Sequence, residues 1–295
     1  MKLSKPAPGT VRVEIDIESL KGWEWWLLLR ADAHHDNPHC RRDIELKHLK
    51  QAKERNAGII DIGDLFCAMQ GKFDRRGNKR DVHPETWRMV ENGTPYRDAL
   101  MLDAVNFYAP YADNWIMFSP GNHEWSIRDR METDLTERLT ARINERTGTS
   151  IQVGNLNGWV QFQFKRGGVK NMPFHLWYHH GYGGGGPVTK DMIQASRQAA
   201  YVEGADLMMT GHTHDAWSTD TVKIRLTSSG REERRTVTQL KIPTYKDEYS
   251  NVNGGYHHIK GRPPKPLGAY WVRFFAETDK ALNDVKISHE VIRAR

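Results

Sequence analysis

Five short polar motifs of the chain carry side chains of the kinds that bind metal ions. Their candidate ligands are Asp32, His34, Asp64, Asn122, His179 or His180, His212 and His214. Carboxylate oxygen, amide oxygen and imidazole nitrogen together suit Mn, Fe or Zn better than Ca. Seven ligands exceed what one ion can use, whereas two ions that share one carboxylate would use them all. The donor set therefore predicts a dinuclear metal centre with Asp64 as the bridge.

The spacing within two motifs allows both of their ligands to face one site. Alternate residues of an extended chain point the same way, so Asp32 can act together with His34, and His212 with His214. Glycines stand beside the ligands at Gly63, Gly121, Gly181 and Gly211. We expect these glycines to allow tight turns and a close approach of backbone and substrate.

Each motif follows an apolar run with the composition of a β-strand. The five predicted strands are Trp25–Arg30, Gly58–Ile62, Asn114–Phe118, Phe174–Tyr178 and Asp206–Thr210. In open α/β sheets the carboxyl ends of neighbouring strands converge on one crevice. We therefore expect the five motifs to meet in space although they are far apart in sequence.

The remaining pattern indicates an α/β protein that becomes mostly β near its end. Helical periods predict helices over Arg41–Asn56, Arg97–Tyr108, Asp129–Arg146 and Met192–Val202, and a further strand is predicted at Trp159–Phe164. Antiparallel strands with no clear helix between them are predicted at Val222–Leu226, Thr236–Ile242, Ala269–Phe275 and Val285–Val291. Long loops are expected near residues 70–94 and 245–266. No linker-like stretch divides the chain, so we expect a single domain over residues 1–295.

The composition says more about the cellular compartment of the protein than about the reaction it could catalyse. A formal charge of +6, from 43 basic and 37 acidic residues, agrees with an anionic substrate but does not identify nucleic acid. The only two cysteines, Cys40 and Cys67, argue against a disulfide framework and fit a reducing compartment. No apolar run reaches the roughly 18 residues of a membrane span. We expect a cytoplasmic protein without a membrane partner, and the sequence leaves its oligomeric state open.

The ordered motifs resemble those of the calcineurin-like metallophosphoesterases. They read Asp32-x-His34, Gly63-Asp64, Gly121-Asn122-His123-Glu124, His180-Gly181 and Gly211-His212-Thr213-His214, and they span residues 32 to 214. The tetrapeptide Gly-Asn-His-Glu alone is expected only on the order of 0.002 times in a random chain of this length. The resemblance implies a four-layer α/β/β/α sandwich with two mixed sheets and a dinuclear centre at the strand ends.

The resemblance also assigns ligands to the two metal ions. Asp32, His34, Asp64 and His214 would hold one ion, and Asp64, Asn122, His180 and His212 would hold the other. His180 is preferred to His179 because some relatives carry a His-Gly-x-Gly-Gly-Gly stretch that aligns with residues 180–185. Mn²⁺ is the favoured ion, with Fe, Zn or Ni as alternatives. Cys67 stands where the family often has an acidic or polar residue, and it receives no role.

The activity that the resemblance implies is hydrolysis of a phosphate ester by a metal-bridging hydroxide. His123 matches the family's non-ligand histidine, which contacts the phosphate and protonates the leaving oxygen. Because of the basic stretches at residues 72–80 and 231–235, a phosphodiesterase, including a nuclease, is preferred to a phosphomonoesterase or protein phosphatase. The expected substrate is a phosphate ester such as a nucleotide or nucleic acid. Asn122 and His123 would contact it, and His257, His258 and Arg262 are candidates to rim the pocket.

Less specific interpretations account for single residues but not for the whole set. A lone histidine is more often structural than a ligand, and this is our expectation for His35, His39, His48, His83, His175 and His289. Residues 183–186 are interpreted as a flexible glycine turn rather than a phosphate-binding nest. Two other functions remain open: a non-catalytic metal-binding interaction scaffold, and a nucleic-acid-binding protein with an incidental metal site.

Overall fold

A computed structural model describes residues 1–70, 77–167, 170–249, 255–279 and 284–294 of the chain. Within these residues the chain is a mixed α/β structure with two mixed β-sheets, one of six strands and one of seven. No helix in the described ranges is long and apolar enough to span a membrane.

The six-stranded sheet carries three of the five predicted motif strands at its centre. Its strands are β3 (Glu24–Arg30), β4 (Gly58–Asp61), β5 (Trp115–Phe118), β6 (Gln152–Val153), β12 (Ala269–Asp279) and β13 (Asp284–Ala294). Their order is β13-β12-β3-β4-β5-β6, with β3 to β6 parallel and β12 antiparallel to both of its neighbours. Every residue of β4 and β5 is buried, which is typical of parallel strands covered on both faces.

The seven-stranded sheet carries the other two motif strands side by side. Its strands are β1 (Lys2–Ala7), β2 (Thr10–Ile17), β7 (Asn157–Arg166), β8 (Lys170–His179), β9 (Leu207–Thr210), β10 (Trp217–Leu226) and β11 (Glu232–Lys241). Their order is β1-β2-β7-β8-β9-β11-β10. The pairs β2–β7, β8–β9 and β9–β11 are parallel, and the other pairs are antiparallel.

Three apolar clusters bury the faces of these sheets. One joins the two sheets and includes Val13, Leu29 and Phe162. A second packs the six-stranded sheet against α1 (Arg42–Glu54), α3 (Tyr96–Tyr108) and α5 (Leu135–Thr147), and a small third packs the seven-stranded sheet against α6 (Met192–Tyr201). Each fully buried side chain of this size contributes roughly 1.5–3 kcal/mol, so the clusters fix how the strand ends face one another.

The remaining helices show where the sequence prediction was wrong. These are α2 (Pro84–Glu91), α4 (Asn122–Met131), α7 (Tyr256–Ile259) and the 3₁₀ turns Lys79–Asp81 and Ala109–Asn114. The single helix predicted over Asp129–Arg146 is two helices, α4 and α5. They are separated because Glu132 has a left-handed backbone (φ 50°) and the Asp134 side chain caps α5 by accepting a hydrogen bond from Glu137 N.

The two predicted loops and the late strands also need correction. α2 occupies part of the loop expected near residues 70–94, since the His83 side chain caps its first turn. α7 lies in the loop expected near 245–266, while residues 71–76 and 250–254 lie outside the described ranges. The basic stretch 231–235 belongs mostly to strand β11. This strand pairs antiparallel with β10, as expected, but it also pairs in parallel with β9. The β1–β2 hairpin was not predicted.

Candidate metal centre

The carboxyl ends of five strands from both sheets meet at one place. Asp32 and His34 follow β3, Asp64 follows β4, Asn122 begins α4 after β5, His180 follows β8, and His212 and His214 follow β9. Direct hydrogen bonds join these segments across the two sheets. His212 N donates to Asp32 Oδ2 at 2.8 Å, and the His180 ring lies 3.0 Å from Ile62 O. The sequence motifs therefore converge, as expected.

One group of candidate ligands consists of Asp32, His34 and His214. Their donor atoms all lie within 4.8 Å of one another. The Nε2 atoms of His34 and His214 are 3.1 Å apart, and His214 Nε2 is 3.6 Å from Asp32 Oδ1. Asp32 Oδ1 is buried and has no hydrogen-bond partner in the described part of the chain. A buried carboxylate oxygen that faces imidazole nitrogens fits a cation, since leaving it unpaired would be costly.

A second group consists of Asp64, His180 and His212, whose donor atoms also lie within 4.8 Å of one another. The Asn122 amide joins it, with one atom position 2.6 Å from His212 Nδ1, 3.1 Å from His180 Nε2 and 3.2 Å from Asp64 Oδ2. The side-chain oxygen occupies this position beside His180 Nε2. In the absence of a cation, an NH₂ group at this position would satisfy the hydrogen bonds, because it could donate to the three neighbouring acceptors. A cation shared by these side chains would instead favour the amide oxygen at this position.

Hydrogen bonds on the far side of two rings orient the imidazoles. His180 Nδ1 lies 3.0 Å from Ile62 O, and His212 Nε2 lies 2.9 Å from Gly183 O. A ring N–H that donates to a carbonyl leaves the other nitrogen free to bind a metal ion. Burial lowers the pKa of His212, and also that of His34 well below its usual range, so both favour the neutral form that binds metals.

His180 and Asp64 form a charged pair at the centre. Burial by itself lowers the pKa of His180, but the Asp64 carboxylate 3.3 Å away raises it to about 9. In turn, His180 and His123 hold the pKa of Asp64 well below its usual range despite burial. A cation that binds between the two side chains takes the place of the imidazolium proton, so its affinity should depend on pH.

Five candidate ligands have left-handed backbone conformations. Their φ angles are 53° for Asp32, 49° for His34, 52° for Asp64, 74° for His212 and 59° for His214. This conformation costs roughly 1–2 kcal/mol per non-glycine residue, although Asp and His tolerate it better than most. Such strain gathers at functional sites, where the surrounding structure enforces it.

Glycines let the ligand segments approach one another, as the sequence predicted. A Cβ atom on Gly121 would lie 2.1 Å from Asp64 Oδ1, and one on Gly63 would lie 2.3 Å from Gly121 N. A side chain at Gly121 would therefore have to displace Asp64, and one at Gly63 would have to displace the backbone of Pro120 and Gly121.

Glu124 is a positioning residue to which sequence reasoning gave no role. Its buried carboxylate accepts hydrogen bonds from the backbone N–H groups of Gly121, Asp64 and Phe66, at 2.7, 3.1 and 2.8 Å. Burial and the neighbouring Asp64 raise the pKa of Glu124 to about 8. The signal was present in the sequence, because an acidic residue at the third position of a helix commonly binds the N–H groups before it.

His123 lies beside the two groups without belonging to either. Its Nδ1 is 2.8 Å from Cys67 O, and its Nε2 is 3.9 Å from Asp64 Oδ2. Its ring centroid is 5.2 Å from that of His34. A ring N–H donated from Nδ1 to Cys67 O leaves Nε2 facing the centre, where only the imidazolium form of His123 would have a second proton to donate.

The other predicted site residues lie farther out. His179 turns away from Asp64 and Asn122: its Nδ1 accepts a hydrogen bond from Gly181 N, and its ring packs against Tyr182. The His257 ring lies 6.2 Å from that of His214, at the rim of the centre. His258 packs against Tyr249, and the Arg262 guanidinium lies over Tyr256; within the described ranges neither side chain forms a hydrogen bond, ion pair or ring contact with a candidate ligand.

A third buried group, His35, Cys40 and Glu45, also has donor atoms within 4.8 Å of one another. Glu45 already forms an ion pair with the Arg30 guanidinium and accepts a hydrogen bond from Tyr108. A divalent cation would have to displace or repel the buried Arg30, so we interpret this group as a structural network.

Comparisons with known proteins add little to this geometry. No protein-family model and no curated protein matches the chain. Among solved structures it is similar to Vps29 of Chaetomium thermophilum, with 9% identity and a TM-score of 0.31 over 91% of this chain and 96% of that one. It is also similar to GAP50, the anchor in the inner membrane complex of Plasmodium, with 9% identity and a TM-score of 0.38 over 92% of this chain and 85% of that one. Both TM-scores are too low to assign a fold or function, so the candidate site rests on its own geometry.

Proposed function

We propose that the protein is a dinuclear metal-dependent phosphoesterase of the calcineurin-like metallophosphoesterase kind, with phosphodiesters as its preferred substrates. The observation that carries this proposal is the pairing of two ligand groups at one set of strand ends. One group contains Asp32 Oδ1, which is buried and has no hydrogen-bond partner in the described part of the chain, and the other gathers three donor side chains beside the Asn122 amide.

The residues that would hold the cations follow from these groups. Asp32, His34 and His214 would hold one ion, and Asn122, His180 and His212 the other, with Asp64 proposed as the shared carboxylate. Divalent cations bound there supply Lewis acidity, which activates water as a nucleophile near neutral pH and neutralises phosphate oxygens. The mixed oxygen and nitrogen donors favour Mn²⁺ over Ca²⁺, and Fe, Zn or Ni also suit them.

The chain's own groups supply the other parts of the reaction. We propose that His123 Nε2 protonates the leaving oxygen, because Cys67 O fixes the opposite nitrogen of the ring. Asn122 is exposed, so a substrate can approach the centre from the side of α4.

The preference for diesters rests on a cation near the centre. Arg130 lines the same concavity as Asn122, His123 and Ser126. The basic stretch 231–235 gives weaker support than its composition suggested, because Arg234 pairs with Glu232, and Arg235 with Asp206.

The packing also supports the four-layer α/β/β/α arrangement that the sequence resemblance implied. One apolar cluster lies between the two sheets, a second lies under α1, α3 and α5, and a third lies under α6. We therefore propose this arrangement for the fold.

A substrate panel tests the proposed function. The purified full chain with Mn²⁺ is assayed against phosphomonoesters, phosphodiesters and cyclic phosphates, beside an Asp64→Asn variant checked for folding by circular dichroism. We expect diester hydrolysis by the parent chain and its loss in Asp64→Asn. A folded, Mn²⁺-loaded parent that hydrolyses none of the esters would favour the interaction-scaffold alternative. Nucleic-acid binding without hydrolysis would favour a binding protein.

A further inference from the structure

A trough leads away from the candidate metal centre along α4. Asn122, Ser126 and Arg130 follow one another at intervals of four residues and therefore share one face of the helix. Eight residues of helix cover about 12 Å. The first part of the trough, lined by these residues and His123, encloses about 470 Å³.

The trough continues past α4 onto the seven-stranded sheet. Its second part, of about 540 Å³, again contacts Asn122 and Arg130 and adds Trp125, Leu156 and Tyr182. A third part, of about 510 Å³, shares Trp125 and Leu156 and ends at Trp159 in β7. Each volume lies within the usual range of ligand sites. Neighbouring parts share lining residues, so they adjoin one another and could together hold an extended ligand that starts at the centre.

Two aromatic side chains are held on the wall of this trough instead of in the core. Tyr182 is 45% exposed, yet its hydroxyl donates to Gln194 Oε1 at 3.1 Å and its ring lies 5.5 Å from that of His179. Trp125 carries the Arg128 guanidinium 5.1 Å from its ring centroid. Aromatic faces held in place beside solvent offer stacking platforms at little entropic cost. His179, the alternative to His180 as a ligand, thus contacts Tyr182 from one side.

The trough offers one guanidinium to an anion. Arg130 is exposed and, among the described residues, forms no ion pair. Arg128 is partly neutralised by Asp134 at 3.5 Å, and Asp129 adds one negative charge. A guanidinium that forms no ion pair among the described residues, placed beside aromatic platforms, matches a ligand in which phosphates alternate with planar rings.

We infer that the trough binds single-stranded nucleic acid, with unpaired bases stacked on Trp125 and Tyr182 and a backbone phosphate on Arg130. This substrate class rests on the proposed function, because the strand enters the trough from a phosphate at the metal centre. A duplex hides the faces of its bases, so it fits the same platforms poorly.

Fluorescence anisotropy tests the inference directly. A labelled single strand of about 12 nucleotides is titrated with the full chain carrying Asp64→Asn, in Mn²⁺, and the titration is repeated with the parent chain in EDTA. We expect the single strand to bind at least tenfold more tightly than a duplex of equal length. Adding Trp125→Ala or Tyr182→Ala should weaken binding by about five- to 150-fold, the range for losing one stacked base. Trp125→Phe and Tyr182→Phe should restore most of it.

The salt dependence separates the arginine from the aromatics. Arg130→Ala should lower the slope of log affinity against log salt by about 0.7, whereas Trp125→Ala should leave that slope unchanged. Trp87→Ala in α2 and Arg234→Ala in β11 lie outside the trough and serve as matched controls, and thermal unfolding verifies that each variant folds. Equal binding of single strand and duplex, or normal binding by folded Trp125→Ala and Tyr182→Ala, would overturn the inference.

The binding assay and the hydrolysis assay can give negative results independently of each other, so each tests its own proposal. Hydrolysis of a small diester without strand binding leaves the proposed function standing and removes the trough as a nucleic-acid site. Strand binding with the expected variant pattern, but without hydrolysis of any ester, upholds the trough and removes the phosphoesterase.

Discussion

His34 Nε2 and His214 Nε2 lie 3.1 Å apart beside Asp32 Oδ1, which has no hydrogen-bond partner among the described residues. We expect the parent chain to bind two Mn²⁺ ions and His34→Asn to bind one fewer, because the variant loses a nitrogen donor from this group. Asn is chosen because it tolerates the left-handed backbone at this position. Equilibrium dialysis followed by metal analysis gives the stoichiometry. His175→Asn in β8 is the control, and an unchanged stoichiometry in His34→Asn contradicts the assignment.

His179 and His180 are adjacent but face different surroundings. His180 reaches Asp64 and Asn122, whereas His179 accepts a hydrogen bond from Gly181 N. We therefore expect His180→Asn to lower Mn²⁺ affinity by more than tenfold. Loss of a residue that only orients a ligand typically lowers metal affinity by about tenfold or more, and loss of the ligand itself should lower it further. His179→Asn should keep the parent affinity. Isothermal titration of both variants measures this, and a stronger effect at His179 would reverse the assignment.

His123 should matter most for substrates with poor leaving groups. General acid catalysis contributes typically 10²- to 10⁴-fold, and least when the leaving group is already a stable anion. We expect His123→Ala to lose about that factor in kcat on alkyl phosphodiesters and far less on nitrophenyl diesters. Comparing kcat across a series of leaving groups gives the result. Equal losses across the series would refute the acid role.

The sequence predicted which segments converge better than it predicted the frame around them. Asp32, Asp64 and Asn122 each follow an apolar run, so local composition located both the strands and their ligands. The choice of His180 needed the resemblance, because both histidines stand at the same strand end. Parallel pairing of β9 with β11 depends on residues far apart in sequence, which local periodicity does not encode.

Two of the missed elements did have local signals. In β2 the buried residues Val11, Val13, Ile15 and Ile17 alternate with polar ones, the pattern of a half-buried strand. In α2 a proline directly follows the capping His83, as at many helix starts. The single domain over residues 1–295 and the cytoplasmic location stay predictions.

Arg30 should be essential for stability. It is fully buried, donates from Nε to Asp61 Oδ2 at 2.7 Å and forms an ion pair with Glu45. Removing one partner of a buried ion pair typically costs 3–5 kcal/mol, because the remaining charges are left uncompensated. We expect Arg30→Met to lower the free energy of unfolding in urea by about this amount.

Two further variants make the Arg30 result interpretable. Arg273→Met removes an arginine that pairs near the surface with Glu24 and Glu290, and it should have a much smaller effect. Adding Glu45→Gln to Arg30→Met removes one of the buried carboxylates that lost its partner, and it should recover part of the stability. Equal effects of Arg30→Met and Arg273→Met would contradict the buried-network interpretation.

His83 should make stability depend on pH below neutrality. Burial, followed by the charge of Arg42, lowers the pKa of His83 to about 4, against its usual 6.5. As the pH falls from about 6.5 towards 4, the unfolded chain binds a proton that the folded chain does not. The stability contribution is therefore complete above pH 6.5 and is lost through this window. Protonation at Nδ1 would also remove the acceptor that caps Glu85 N.

His83→Asn keeps a capping acceptor but does not titrate. We expect its melting temperature to fall less than that of the parent chain as the pH drops through this window. Thermal unfolding by circular dichroism at a series of pH values provides the comparison. Parallel curves for the two proteins would show that His83 does not titrate in this way.

The left-handed ligand backbones are fixed by hydrogen bonds within the protein itself. Asp32 N donates to Gly63 O at 2.9 Å, His34 N to Asp64 O at 3.0 Å and His212 N to Asp32 Oδ2 at 2.8 Å. These hydrogen bonds form when the chain folds. Metal ions that bind to the folded protein would therefore find the ligand atoms already in position. The concentration of free metal ions, rather than a conformational change, would then determine the fraction of molecules that carry a complete metal centre.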